Sequence, residues 1–67
     1  MLRIVVNGED RELPEPCTLA DLLTALSMPT RGVAVEVNEQ IVPRSQHATR
    51  LVTDGDRLEV VTLVGGG

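Results

Sequence analysis

Phe, Trp and Tyr are all missing from this 67-residue chain. Its core must be built from Val, Leu, Ile, Ala and Met, and no aromatic side chain is present on which a nucleic-acid base could stack. Lysine is missing too. The 6 basic residues are all Arg, set against 10 Asp plus Glu, for a net charge of −4. No ε-amine is therefore available for Schiff-base chemistry or as a conjugation acceptor, and only the N-terminal amine could serve. An acidic chain without a basic run is a poor partner for nucleic acid. The single cysteine, Cys17, excludes an intramolecular disulfide and with it the small secreted disulfide scaffold. The single histidine, His47, has no Cys or Asp cluster at ligand spacing, so a zinc site is not expected. No apolar run approaches the ~20 residues of a membrane span. The N-terminus turns polar at Asn7-Gly8, too early for a secretory signal. The expectation from these absences is a soluble cytoplasmic protein, monomeric when alone.

What is present suffices for one small folded domain. Apolar content is 42%, above the range of disordered chains. At this length the core is marginal and leaves no room for a deep substrate pocket.

Leu2 to Val6 is short and rich in β-branched residues, and Asn7-Gly8 follows it. Asn-Gly supplies the two positive φ angles of a type I′ turn, so a hairpin is expected with Arg11 to Leu13 returning. Pro14 and Pro16 end the pairing. Leu19, Leu22, Leu23 and Leu26 fall at i, i+3, i+4 and i+7, which predicts a helix over roughly 19–28. Thr18 suits its N-cap and Asp21 its positive end. Met28-Pro29 should stop it, since the residue before proline is pushed out of the α region.

Val33, Val35 and Val37 alternate as in a half-buried strand. Asn38-Glu39-Gln40 reads as a turn, and Ile41-Val42 as a brief strand cut by Pro43. Arg44 to Arg50 shows no period and reads as a surface loop or a short turn of helix, with a solvated His47. Asp54-Gly55-Asp56 is a tight turn. Arg57 to Val64 is the last strand, with Leu58, Val60 and Thr62 on one face and Glu59, Val61 and Leu63 on the other. One amphipathic helix covers one face of one sheet, so the order β-β-α-β-β-β predicts an α+β domain of the β-grasp, ubiquitin-like kind. It would have a mixed sheet of four to five strands with the helix on one face. The first and last strands would be parallel neighbours and the last strand central.

Catalytic constellations are not apparent. Cys17 lacks a second Cys or an adjacent His and reads as a packing residue. Asp54 and Asp56 lack the other positions of a calcium loop. Nothing assembles nucleophile, base and oxyanion hole, so an independent enzyme is not expected. The chain does end in Gly65-Gly66-Gly67, directly after an apolar run. Glycine buries no side chain and loses the most backbone entropy on ordering. A triglycine end is therefore either incidental or an arm. As an arm it reaches about 10 Å when extended, and no Cβ hinders its passage through a narrow channel. Its terminal carboxylate becomes an acyl donor once its oxygen is turned into a leaving group, as in an acyl-adenylate. Two segments are expected: a domain over 1–64 and a flexible tail over 65–67.

Thr18-Leu19-Ala20-Asp21-Leu22-Leu23, Gly32-Val33-Ala34-Val35, Asn38-Glu39-Gln40-Ile41-Val42-Pro43-Arg44 and Asp54-Gly55-Asp56 together carry a resemblance. With the apolar strand and terminal glycines that follow, the chain resembles the ThiS sulfur carriers of thiamine biosynthesis, essentially end to end. Two departures stand out. Gly65 adds a third glycine ahead of the usual pair, and His47 lies where many relatives carry an aromatic residue. The resemblance implies that a ThiF-like, E1-type adenylyltransferase uses ATP to adenylate the Gly67 carboxylate, with no cofactor bound by the carrier itself. Sulfur delivered from a cysteine desulfurase would convert that end to a thiocarboxylate, and a ThiG-like thiazole synthase would take the sulfur. Gly65 and Gly66 would be the tether. Val5, Val61 and Leu63, expected on the sheet face opposite the helix, would form an apolar docking patch, with Glu59 pairing to a basic partner surface. A carrier for molybdopterin or another sulfur-transfer pathway, and a non-catalytic β-grasp interaction module, stay open as alternatives.

Overall fold

Asn7 (φ +51°) and Gly8 (φ +82°) make the turn between β1 (Leu2–Val6) and β2 (Glu9–Leu13). The two strands pair antiparallel from Leu2↔Leu13 to Val6↔Glu9. The computed structural model describes residues 1–29 and 31–62. The expected tail, 65–67, lies outside the described residues, as do positions 63 and 64.

A two-residue strand, β3 (Cys17–Thr18), leads into helix α1 (Leu19–Ala25). The Thr18 hydroxyl accepts the Asp21 amide at 3.1 Å, as its N-cap position suggested. The helix is shorter than the 19–28 expected. It closes at Leu26 because Ser27 turns left-handed (φ +57°). The Ser27 amide then donates to the Thr24 carbonyl and the Met28 amide to that of Leu23. This is the Schellman closure, usually built on glycine. Met28 packs on the core, as the residue after such a cap commonly does.

β4 (Val33–Val37) and β5 (Gln40–Val42) form a second hairpin through Asn38 (φ +53°) and Glu39 (φ +69°). After a 3₁₀ turn at Arg44–Gln46 comes β6 (Leu51–Val52), which pairs with β3. β7 (Arg57–Thr62) is the last described strand. It lies in the middle of a five-stranded sheet of order β2-β1-β7-β4-β5, parallel to β1 and antiparallel to β4. This is the β-grasp arrangement expected from the element order. The additional β3–β6 pair was not expected.

One face of the sheet carries Ile4, Val6, Val35, Val37, Leu58 and Val60, and these pack with Leu19, Leu22 and Leu23 of the helix. Without aromatics, side chains of similar size fill this layer, each fully buried Leu or Ile contributing about 1.5–3 kcal/mol.

The segment 44–50 is not a free surface loop. The Arg50 and His47 carbonyls accept the Leu19 and Ala20 amides, each at 2.9 Å. With Thr18 they satisfy three donors that the start of a helix would otherwise leave unpaired. His47, expected in solvent, is only 5% exposed. Its Nε2 lies 2.9 Å from the Val42 carbonyl, which can only accept, so Nε2 carries the hydrogen. Capping of the helix by its own backbone carbonyl draws His47 inward, and Val42 gives the ring a partner there.

Candidate functional site

β7 alternates strictly. Leu58 and Val60 face the helix, while Arg57, Glu59 and Val61 face away. Strand register fixes what stands beside each of them on the outward face. Asp10, Val5 and Arg57 form one row across β2, β1 and β7. Glu59, Glu36 and Ile41 form the next across β7, β4 and β5, and Val61 stands opposite Ala34 beyond it.

Val5 and Val61 thus lie on the same face but not in the same patch. Val5 is half-buried beside Arg57, four positions before Val61 on β7, a span of about 13 Å. Glu59 and Val61 sit together, joined by Glu36, Ala34 and Ile41. Ile41 is 73% exposed and Val61 57%. Leu63, Gly65, Gly66 and Gly67 lie outside the described residues. Glu36 and Ile41 were not expected among the site residues. Both hold outward positions, Glu36 between the inward Val35 and Val37, and Ile41 before the inward Val42. Alternation marks them as outward-facing, but only strand register shows that they adjoin Glu59.

The two ends of this face differ in charge. At the β1–β2 end Arg3 pairs with Glu12 at 3.2 Å, and Arg57 stands in the row of Asp10. At the β4–β7 end Glu36 and Glu59 oppose each other directly, and among the described residues neither has an ion-pair partner. Like charges directly opposite destabilise a sheet.

Polar joints hold β7 in place. The Asn7 side chain accepts the Val60 amide at 2.7 Å and donates to the Val60 carbonyl at 3.2 Å, extending the β1–β7 ladder beyond Val6. Asp56, 6% exposed, accepts from Asn38 Nδ2 at 3.0 Å and from the Thr53 amide at 2.9 Å. Asn38 Oδ1 in turn accepts the Arg57 amide. The expected 54–56 turn therefore also fixes where β7 begins relative to the β4–β5 turn.

Chemistry within the domain is sparse. Among the described residues no three His, Cys, Asp or Glu gather as a metal site. No helix is long and apolar enough to cross a membrane. Burial, reinforced by the charge of Asp21, pushes the Cys17 thiol up from its ordinary value, which suppresses the thiolate. An open depression of about 710 Å³ borders Arg3, Val5, Asp10 and Glu12, at the β1–β2 end.

Comparison with known proteins bears on this architecture. The ThiS family model matches residues 4–67. The chain is 33% identical to the sulfur carrier protein ThiS of Escherichia coli, over 98% of this chain and 100% of that protein. It is 40% identical to the ThiS of Thermus thermophilus, over 92% of this chain and 95% of that one. It is also 46% identical to a segment of a thiazole synthase from Paramagnetospirillum magneticum, a protein of which it spans only 20%. The crystal structure of a thiamine biosynthesis protein (ThiS) from Geobacter metallireducens superposes with a TM-score of 0.84 at 30% identity, covering 98% of this chain and all of that one. With its sheet order, its helix and its glycine end all accounted for in this way, the chain belongs to the ThiS family.

Proposed function

We propose that this protein is a sulfur carrier of thiamine biosynthesis whose working group is the carboxylate of Gly67. The observation that carries the reading is a family match that runs through the terminal glycines. The fold supports it, because β7 is the central strand and leads in sequence straight into that end.

A carboxylate oxygen is a poor leaving group at neutral pH. A ThiF-like adenylyltransferase would supply ATP, and attack of the Gly67 carboxylate on the α-phosphorus would release pyrophosphate and leave an acyl-adenylate. Hydrosulfide would then add at the carbonyl carbon and expel AMP, leaving a thiocarboxylate; sulfur arriving as a persulfide would expel AMP to give an acyl disulfide, which a thiol would reduce to the thiocarboxylate with release of a disulfide. The carrier contributes an unhindered acyl group and an arm, Gly65-Gly66, without a Cβ. It needs no bound cofactor and no nucleophile of its own, in keeping with the suppressed thiolate of Cys17. The carrier is on this reading a protein co-substrate rather than an enzyme. A ThiG-like thiazole synthase would accept the sulfur, a reading supported by the similarity to a segment of a protein so named.

Isotope exchange between pyrophosphate and ATP on the adenylyltransferase tests the first step. Exchange should depend on the carrier and vanish when Gly65, Gly66 and Gly67 are all deleted. Carrier-dependent exchange that survives the deletion would refute the assignment.

A further inference from the structure

We propose that Asn7 is a positioning residue for the Gly67 carboxylate: its side-chain amide clamps Val60 and so fixes where the fold ends and the arm begins. The proposal rests on the sulfur-carrier reading and adds to it the device that sets how firmly the arm is held at its root.

Three observations carry it. The first is a side chain standing in for backbone. The Asn7 backbone amide donates to the Leu58 carbonyl at 2.9 Å, as a parallel ladder requires. The next bonds of that ladder would join the Val60 amide to the Asn7 carbonyl, and the Val60 carbonyl to an amide two residues on. β1 ends at Val6, however, and Asn7 (φ +51°) with Gly8 (φ +82°) turns the chain away toward β2. The Asn7 side chain fills both places. Its Oδ1 accepts the Val60 amide at 2.7 Å and its Nδ2 donates to the Val60 carbonyl at 3.2 Å. A side-chain amide offers acceptor and donor side by side, and Asn also tolerates the left-handed turn.

The second is the place that is clamped. Val60 is the last buried residue of β7, and Val61 and Thr62 beyond it are exposed. Val60 is held by its side chain in the core, by β4 opposite Val35, and by Asn7. The third is one-sidedness beyond that point. Among the described residues, Val61 and Thr62 pair with Ala34 and Val33 of β4 and with no residue of β1. Release of Asn7 therefore leaves the end of β7 held along one edge.

A terminal carboxylate is delivered only as well as the segment behind it is held. Residues that fray before binding must be ordered again on engagement, at a cost in backbone entropy. When only a fraction of molecules has the joint formed, apparent affinity falls by that fraction. Once bound and ordered, the acyl group reacts as before. The clamp is therefore expressed in KM rather than in kcat.

The test combines steady-state adenylation by the purified partner, with carrier concentration varied, and amide hydrogen exchange of the full chain alone. Asn7→Gly keeps the positive φ and removes both side-chain bonds. Asn7→Asp keeps a turn-forming residue without glycine's added freedom, but its carboxylate cannot donate to the Val60 carbonyl. Both should raise KM for the carrier roughly fivefold and leave kcat at saturation unchanged. In both, the Val61 amide should exchange roughly tenfold faster relative to that of Ile4 on β1. Thr18→Ala, which removes the helix cap, should lower the melting temperature yet leave KM and the Val61-to-Ile4 ratio unchanged. An unchanged or lowered KM in the Asn7 variants overturns the proposal. So does a defect in only one of them, which would assign the effect to turn flexibility or to added charge. An equal KM defect in Thr18→Ala would assign it to stability and overturns the proposal too. If the wild-type chain is not adenylated at all, the carrier reading falls and the positioning role falls with it. Normal wild-type turnover with indifferent variants removes the role of Asn7 alone.

Discussion

The two ends of the outward sheet face follow opposite rules. At the β1–β2 end Arg3 forms an ion pair with Glu12, while Val5 separates Arg57 from Asp10 in their shared row. At the β4–β7 end two carboxylates face each other and the neighbouring aliphatics lie open to water. The same sheet, the same helix and the same core support both. The difference therefore lies in the outward side chains alone.

Substitutions can break or sharpen this contrast, beginning with the scaffold that both ends share. Leu58 is fully buried on the inward face of β7. Leu58→Ala should cost about 2–5 kcal/mol in denaturant unfolding and disable both ends together. Next in size is Asp56→Ala, which leaves Asn38 Nδ2 and the Thr53 amide without their acceptor. A loss of about 1–3 kcal/mol is expected from unsatisfied donors, read by the same unfolding curves. Smaller effects separate the ends by sign. Glu36→Gln should stabilise the isolated domain by about 0.2–1 kcal/mol through relief of the opposed pair. Arg3→Ala should destabilise it by no more than about 0.5 kcal/mol, because the Arg3–Glu12 pair is solvent-exposed. If both substitutions shift the melting temperature the same way, the contrast between the ends is gone.

Much of the scaffold was legible in the sequence because its signals are local. Asn7-Gly8 requires positive φ, the Leu19–Leu26 spacing has one helical period, and Val33 to Val37 has one strand period. The illegible parts are non-local or too short to have a period. The β3–β6 pair joins two-residue strands far apart in the chain, in register Cys17↔Val52 and Thr18↔Leu51. The helix end fell early because Ser27, not a glycine, adopts the left-handed turn. His47 looked solvated because its neighbours are polar, yet its backbone caps the helix and its ring finds the Val42 carbonyl. The site divides in the same way. Glu59 and Val61 could be marked from the alternation of β7 alone. That Glu36 and Ile41 complete their patch, and that Val5 stands at the other end, depends on register between strands far apart in the chain. The glycine end was legible as chemistry, since Gly67 is singled out by having no side chain and a reachable carboxylate.

Intact-mass analysis of the carrier after incubation with ATP, the ThiF-like adenylyltransferase and a sulfur source tests the central claim most directly. A single exchange of oxygen for sulfur is expected, placed on Gly67 by fragmentation and absent when ATP is withheld. An unchanged mass, or the same exchange in a chain lacking Gly65, Gly66 and Gly67, would contradict it.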